Sequence, residues 1–237
     1  MTSVALLDGK TPGITVLHGD SSEWTALGTS IDSLACGRRF DMVDICTPDD
    51  LSGGLTEDFS GHIGRPFAIV AQQVLVPRCT PAQAVEAMYA AMADAAEYQT
   101  GSALWSGVPD VDWTGDVYLT SAEVETTTLT GTSVKGHVAQ ILKAAWDAHP
   151  ELDPILHLGI GTALEVGLDV GVLGVPYVVN PGYPINGIAV TDKITIRLGD
   201  IQRLNAVDTA INRRYVEATR LGLVEFDPCL ARLAVTT

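Results

Sequence analysis

The chain has 237 residues, 46% of them hydrophobic and 18% charged, with a formal net charge of −15 and a pI near 4.5. That length supports a sizeable core, in one large domain or two small ones. So acidic a chain argues against nucleic-acid binding through a broad basic surface. No run approaches the roughly 18 uninterrupted apolar residues of a membrane-spanning helix, and nothing at the N-terminus resembles a signal peptide.

Residues Met1–Gly64 are irregular, with Pro12, Gly13, Gly28, Gly37, Pro48, Gly53, Gly54 and Gly61 interrupting any period. Short apolar runs stand at Ile14–Leu17 and Met42–Ile45. A segment this long makes most sense as an arm and an extended loop reaching toward a neighbouring chain. Phe67–Val76 predicts a strand closed by Pro77, and it feeds the chain's dominant element, a helix over Thr80–Ser106. Thr80 and Gln83 form a capping-box pattern around Pro81 at the first helical position. Val85, Met88, Met92, Ala95, Gln99 and Leu104 recur at helical spacing, Gly101 is a weak point, and Gly107 and Pro109 stop the helix. It would run roughly 37 Å, a backbone for a thin, extended subunit.

Beyond it, Asp116–Thr120 reads as a strand, and the Thr-rich Glu125–Thr132 as another strand and then a turn. A helix capped by Ser133 or Thr132 runs to about His149, with Val134, Val138, Ile141, Leu142, Ala145 and Trp146 on its apolar face. Ile155–Leu158 is a short buried strand, Gly159 and Gly161 lead to a short helix near Thr162, and Val175–Val179 is a strand before the turn Asn180–Pro184. Ile194–Leu198 alternates as a half-buried strand should. Ala210–Leu223 is ambiguous between helix and strand, and Leu230–Val235 closes the chain as a strand.

Patterns that carry chemistry are incomplete. Gly159-Ile160-Gly161 with Gly167 lacks the third glycine of a dinucleotide loop, because Leu164 stands there, and reads as a tight strand-to-helix turn. Gly131–Gly136 misses the nucleophile-elbow spacing at Lys135, so Ser133 or Thr132 reads as a helix cap. His18, His62, His137, His149 and His157 show no ligand spacing, and His157 reads as a hydrogen-bonded core residue. Asp49-Asp50 and Glu57-Asp58 read as solvated loop charges, and Trp105, Trp113, Tyr118 and Trp146 as core anchors or subunit contacts. The late basic residues Lys193, Arg197, Arg203, Arg213, Arg214, Arg220 and Arg232 read as solvated or subunit-contact charges. Cys36, Cys46, Cys79 and Cys229 show no paired spacing and read as free, mostly buried thiols of a reducing compartment. No catalytic, cofactor or metal site is expected, and the chain reads as a structural subunit rather than an enzyme.

Three segments then carry a resemblance. Gly174-Val175-Pro176-Tyr177-Val178-Val179-Asn180-Pro181 resembles the G-x-P-V-V-x-x-P step of tailed-phage major capsid proteins. Asn212–Val224 resembles their late strand with its arginine at Arg220, and Asp227–Leu233 their closing proline-containing strand. Thr80–Gly107 then looks like the spine helix of the α+β Hong Kong 97-type fold. The resemblance covers Phe67 to the end, about two-thirds of the chain. It implies an N-terminal arm and E-loop over 1–64, a peripheral domain with the spine helix over 65–115, an axial domain over 116–190 and returning peripheral strands over 191–237. The span Gly159–Gly174 would supply the axial loops. The expected function is a subunit that self-assembles, as pentamers or hexamers, into an icosahedral shell in the host cytoplasm. That shell would enclose double-stranded phage DNA without sequence-specific binding, have no membrane association, and be served by scaffolding, portal or decoration proteins. With no lysine between Lys10 and Lys135, the E-loop carries none, and lysine–asparagine cross-linking of the best-known member's form is not expected. No scaffolding segment is expected ahead of the fold. The alternatives are an encapsulin-type compartment, a tail or head-completion protein forming rings or tubes, and a small nucleotide-binding α/β enzyme using the Gly159–Gly167 turn.

Overall fold

A computed structural model describes residues 5–19, 29–32, 61–64, 66–75, 82–107, 117–167, 174–208, 210 and 213–236. The 25-residue helix α1 (Ala82–Ser106) covers one face of a sheet built from β1 (Ile14–Gly19), β4 (Phe67–Leu75), β9 (Ile194–Gly199), β10 (Gln202–Asp208) and β11 (Arg213–Phe226). Between β1 and β4 in sequence, β2 (Thr29–Asp32) and β3 (Gly61–Gly64) pair as an antiparallel ribbon. The 14-residue β11 is the sheet's central member. It pairs antiparallel with β10 over Arg213–Thr219, with β9 over Gly222–Phe226 and with β4 over Arg214–Gly222. Pairing on both edges settles the ambiguity of this segment. Its Ala and Glu content suits a helix, but Val216 and Ala218 point to the core in strand alternation. Gly222 is required here because a Cβ would stand 2.5 Å from the Phe67 ring.

Alternation along β4 is clean: Phe67 and Ile69 are buried under α1, while Val70 and Val74 are exposed on the opposite face. The buried stripe of α1 is Tyr89, Met92, Ala96, Thr100 and Leu104. It lies about one position away from the expected stripe, for Met88 and Ala95 are half-buried and Gln99 is exposed. With alanine around the whole circumference the sequence does not fix the stripe's centre, and packing on the sheet decides it. The caps expected at Thr80, Pro81 and the Gln83 side chain lie outside the described residues, as do Met42–Ile45, Trp113 and the Asp49-Asp50 and Glu57-Asp58 pairs.

Asp116–Thr120 is not a strand over its described part. Leu119 N and Thr120 N donate to the carbonyls of Leu104 and Trp105, and residues 119–120 turn. The last turn of α1 leaves carbonyls without partners, and this segment satisfies them. Gly107 closes the helix at φ +73°, against the Tyr118 ring.

A second sheet runs β5-β12-β8-β6-β7, from β5 (Glu125–Leu129), β12 (Arg232–Thr236), β8 (Ile188–Thr191), β6 (Ile155–Leu158) and β7 (Tyr177–Val179). Helix α2 (Val134–Ala148) packs on it through Val138, Ile141, Leu142 and Ala145, beside the short α3 (Ile160–Val166). Ser133 caps α2, its hydroxyl accepting from Gly136 N at 3.3 Å. Both faces of β6 and β8 are buried. Leu156, Leu158, Ile188 and Val190 face α2 and α3, while Ile155 and Ala189 join the core under α1. The second sheet therefore joins the two cores.

Cys229 is in a disulfide, its partner lying outside the described residues. This corrects the expectation of a free thiol at Cys229, since scattered spacing carries no information about which sulfurs meet in space; Cys36, Cys46 and Cys79 lie outside the described residues.

Candidate functional site

The seam between α1 and the second sheet holds a group of long-range polar and aromatic contacts. Trp105, in the last turn of α1, packs on Tyr183 with ring centroids 5.0 Å apart. Tyr183 meets His157 edge-on at 5.8 Å. His157 is fully buried in β6, with Nδ1 3.0 Å from the Tyr183 hydroxyl and Nε2 2.9 Å from the Thr191 hydroxyl. Burial pushes its pKa down to about 3, so the ring is neutral. Burial first, and the negative charge of Glu97 second, hold the Tyr183 phenol well above its usual value. This is the hydrogen-bonded core histidine expected from the sequence, both ring nitrogens being engaged by hydroxyl groups.

The turn 180–183 lies flush against α1. A Cβ on Gly101 would stand 1.9 Å from Asn180 Oδ1, and one on Gly182 would stand 2.2 Å from the Tyr98 carbonyl oxygen. Gly101 costs helix propensity, but it makes this approach possible.

The glycines that suggested a nucleotide loop have a different use. A Cβ on Gly159 would stand 1.9 Å from the Pro184 carbonyl oxygen, and one on Gly161 2.8 Å from that of Ile185. The N–H groups at the start of α3 are already committed: Gly159 donates to Gly187 O, and Gly161 and Thr162 to Ile185 O. A phosphate would find the chain's own backbone in its place. Ser133 is engaged as a cap, its hydroxyl taken up by the Gly136 N–H.

Of the other histidines, His137 Nε2 lies 2.9 Å from the Gly131 carbonyl, His149 caps α2, and His18 Nδ1 lies 3.1 Å from an Arg220 guanidinium nitrogen. Among the described residues, no three His, Cys, Asp or Glu side chains gather to hold a metal ion. Most of the late arginines are tied within the chain. Arg197 pairs with Glu225 at 2.8 Å and Arg232 with Glu125 at 2.7 Å, Arg203 stacks over the Tyr89 ring, and Arg214 donates to Asn205. Arg220 donates to the Gly199 carbonyl, and its partial burial lowers its pKa.

Among the described residues, exposed apolar side chains include the scattered Leu17, Tyr98, Val207 and Val235 and two groups. One is the sheet face opposite α1, with Val70, Val74, Leu204 and Tyr215. The other is the α3 tip, with Ile160, Leu164 and Ile185. A groove of about 500 Å³ lies along the edge of β4 beside α1, lined by Ile69, Ala71, Met88, Ala91, Met92 and Gln99. Its walls hold no acid, base or nucleophile, so what it can offer is apolar contact.

No protein-family model matches the sequence, and no curated protein matches it. Solved structures do. The capsid of a native GTA particle is similar with a TM-score of 0.62 at 15% identity, over 99% of this chain and 90% of that one. A phage G structure of major capsid and decoration proteins is similar with a TM-score of 0.57 at 10% identity, over 100% and 90%. A virus-like particle from Pyrococcus furiosus is similar with a TM-score of 0.57 at 8% identity, over 94% and 90%. The chain has this capsid-type α+β fold, as the three sequence segments led one to expect.

Proposed function

We propose that this chain is the structural subunit of an icosahedral shell of the tailed-phage type, and that its work is assembly rather than catalysis. The observation that carries the reading is the near full-length likeness, in both directions, to subunits of capsids and virus-like particles. On this reading residues 1–64 are the arm and E-loop, α1 and the first sheet the peripheral domain, and the second sheet with α2 and α3 the axial domain. The bounds are 65–115 and 191–237 for the former and 116–190 for the latter, except that β12 returns to the axial sheet. Two features support this. Apolar groups remain exposed on the first sheet and at the α3 tip, where further copies would bury them. The net charge of −15 suits a shell that encloses DNA without adhering to it. Pentamers or hexamers would form in the host cytoplasm with separate scaffolding, portal or decoration proteins, and the shell would become part of the virion.

Electron microscopy of the purified protein, with absorbance at 260 and 280 nm, tests the proposal. Closed polyhedral particles are expected, carrying nucleic acid when isolated from infected cells. Closed particles that hold protein cargo and no nucleic acid would favour a protein compartment. A small oligomer that binds a nucleotide tightly would overturn the shell reading.

A further inference from the structure

One side chain of α1 holds two parts of the chain that are remote from it and from each other. Glu97 Oε1 accepts from the backbone N–H of Leu6 at 2.6 Å and from the Asn180 amide at 2.7 Å. Its Oε2 accepts from Leu7 N–H at 2.9 Å. The same Asn180 amide also donates to the Glu97 backbone carbonyl at 3.0 Å. Asn180 Oδ1 accepts from Gly182 N–H at 2.7 Å, and the Asn180 carbonyl accepts from Tyr183 N–H at 3.2 Å. Leu6 and Asn180 are both fully buried.

A carboxylate can accept about four hydrogen bonds, and charge-assisted ones are about twice as strong as neutral ones. Here three are donated to it, two of them by the N-terminal segment. If residues 6–7 withdraw, a half-buried anion keeps only the Asn180 amide and is drawn toward water. Asn180 then loses its anchor. The turn it organises rests against α1 only because Gly101 and Gly182 have no side chains to hold it off.

We propose that Glu97 is a conformational latch that makes the seating of the N-terminal segment and the docking of the 180–183 turn a single event. Withdrawal of the segment unclamps the helix from the second sheet, leaving the Trp105–Tyr183 contact as a hinge. The latch rests on contacts within one subunit and not on the shell reading.

The test is amide hydrogen exchange in the full chain, compared with Glu97→Gln, Asn180→Ala and a deletion of residues 2–7. The amides of Leu6, Leu7, Gly182 and Tyr183 report directly, since each is a donor in the latch. The deletion accelerates exchange at Gly182 and Tyr183 by about tenfold or more, the effect of losing one charge-assisted hydrogen bond. Because coupling is reciprocal, Asn180→Ala accelerates Leu6 and Leu7, and Glu97→Gln accelerates both pairs. Exchange within α2 stays at its wild-type rate in all three. A deletion that leaves Gly182 and Tyr183 unchanged overturns the latch. So does an Asn180→Ala protein with Leu6 and Leu7 unchanged, or an acceleration that extends equally into α2, which would be general destabilisation.

Discussion

Lowering the pH from 7.5 to 5 should cost this protein stability through one residue. His157 is neutral in the fold, with its pKa near 3 because it is fully buried, whereas an unfolded histidine titrates near 6.5. Between those values the unfolded chain binds the extra proton, so stability falls as pH drops below about 6.5, and the loss continues to about pH 3. Linkage puts the loss at about 2 kcal/mol by pH 5 for this single group. His157→Gln separates this effect from other titrations. At pH 7.5 the variant should be less stable by about 1–3 kcal/mol, because the Tyr183 or Thr191 hydroxyl loses a partner. On going to pH 5 the gap between the two proteins should close by about 2 kcal/mol, since the variant has no proton to take up there. Urea unfolding followed by circular dichroism, at fixed protein concentration and without reductant, measures both curves. Parallel curves over this range would refute the reasoning, showing that His157 either charges in the fold or is reached by water.

Other substitutions probe other joints. Trp105→Ala removes the helix's aromatic anchor on Tyr183, and a loss of about 3–5 kcal/mol in chemical unfolding is expected, with impaired assembly. Gly159→Ala places a methyl 1.9 Å from the Pro184 carbonyl oxygen and should cost about 1–3 kcal/mol or more, read as a lowered Tm. Leu164→Asp changes a side chain that is 67% exposed. Subunit unfolding should then shift by no more than about 0.5 kcal/mol, while particle yield in electron microscopy falls. Undiminished yield would remove the α3 tip from the assembly surface.

The sequence was most legible where punctuation and periodicity agreed. β4, α1, α2, β6 and β9 stand within one or two residues of expectation, because prolines, glycines and a Ser cap bound each of them. Elements defined by their partners were harder to see. β10 has little buried side-chain surface of its own and is a strand because it pairs with β11. β8, between the Asn180–Pro184 turn and β9, is only four residues long and does not stand out in the sequence either. Asp116–Thr120 had strand-like composition, yet its backbone is drawn to the end of α1. The glycine turn at 159–161 and the buried His157 are legible from local context, for each is surrounded by apolar sequence. Glu97 and Asn180, 83 residues apart, had no local signal to join them. The Cys229 disulfide likewise depends on a meeting in space.

The position of β12 has a consequence for synthesis. It lies inside the second sheet, parallel to β5 and antiparallel to β8. Residues 232–236 must therefore leave the ribosome before β5, made more than a hundred residues earlier, can find its only partner strand among the described residues. Until then β5 and β8 present open edges, the kind of surface on which nascent chains mispair. Folding of this sheet is of necessity a late event, and a partly made subunit has no complete second sheet to offer a neighbour.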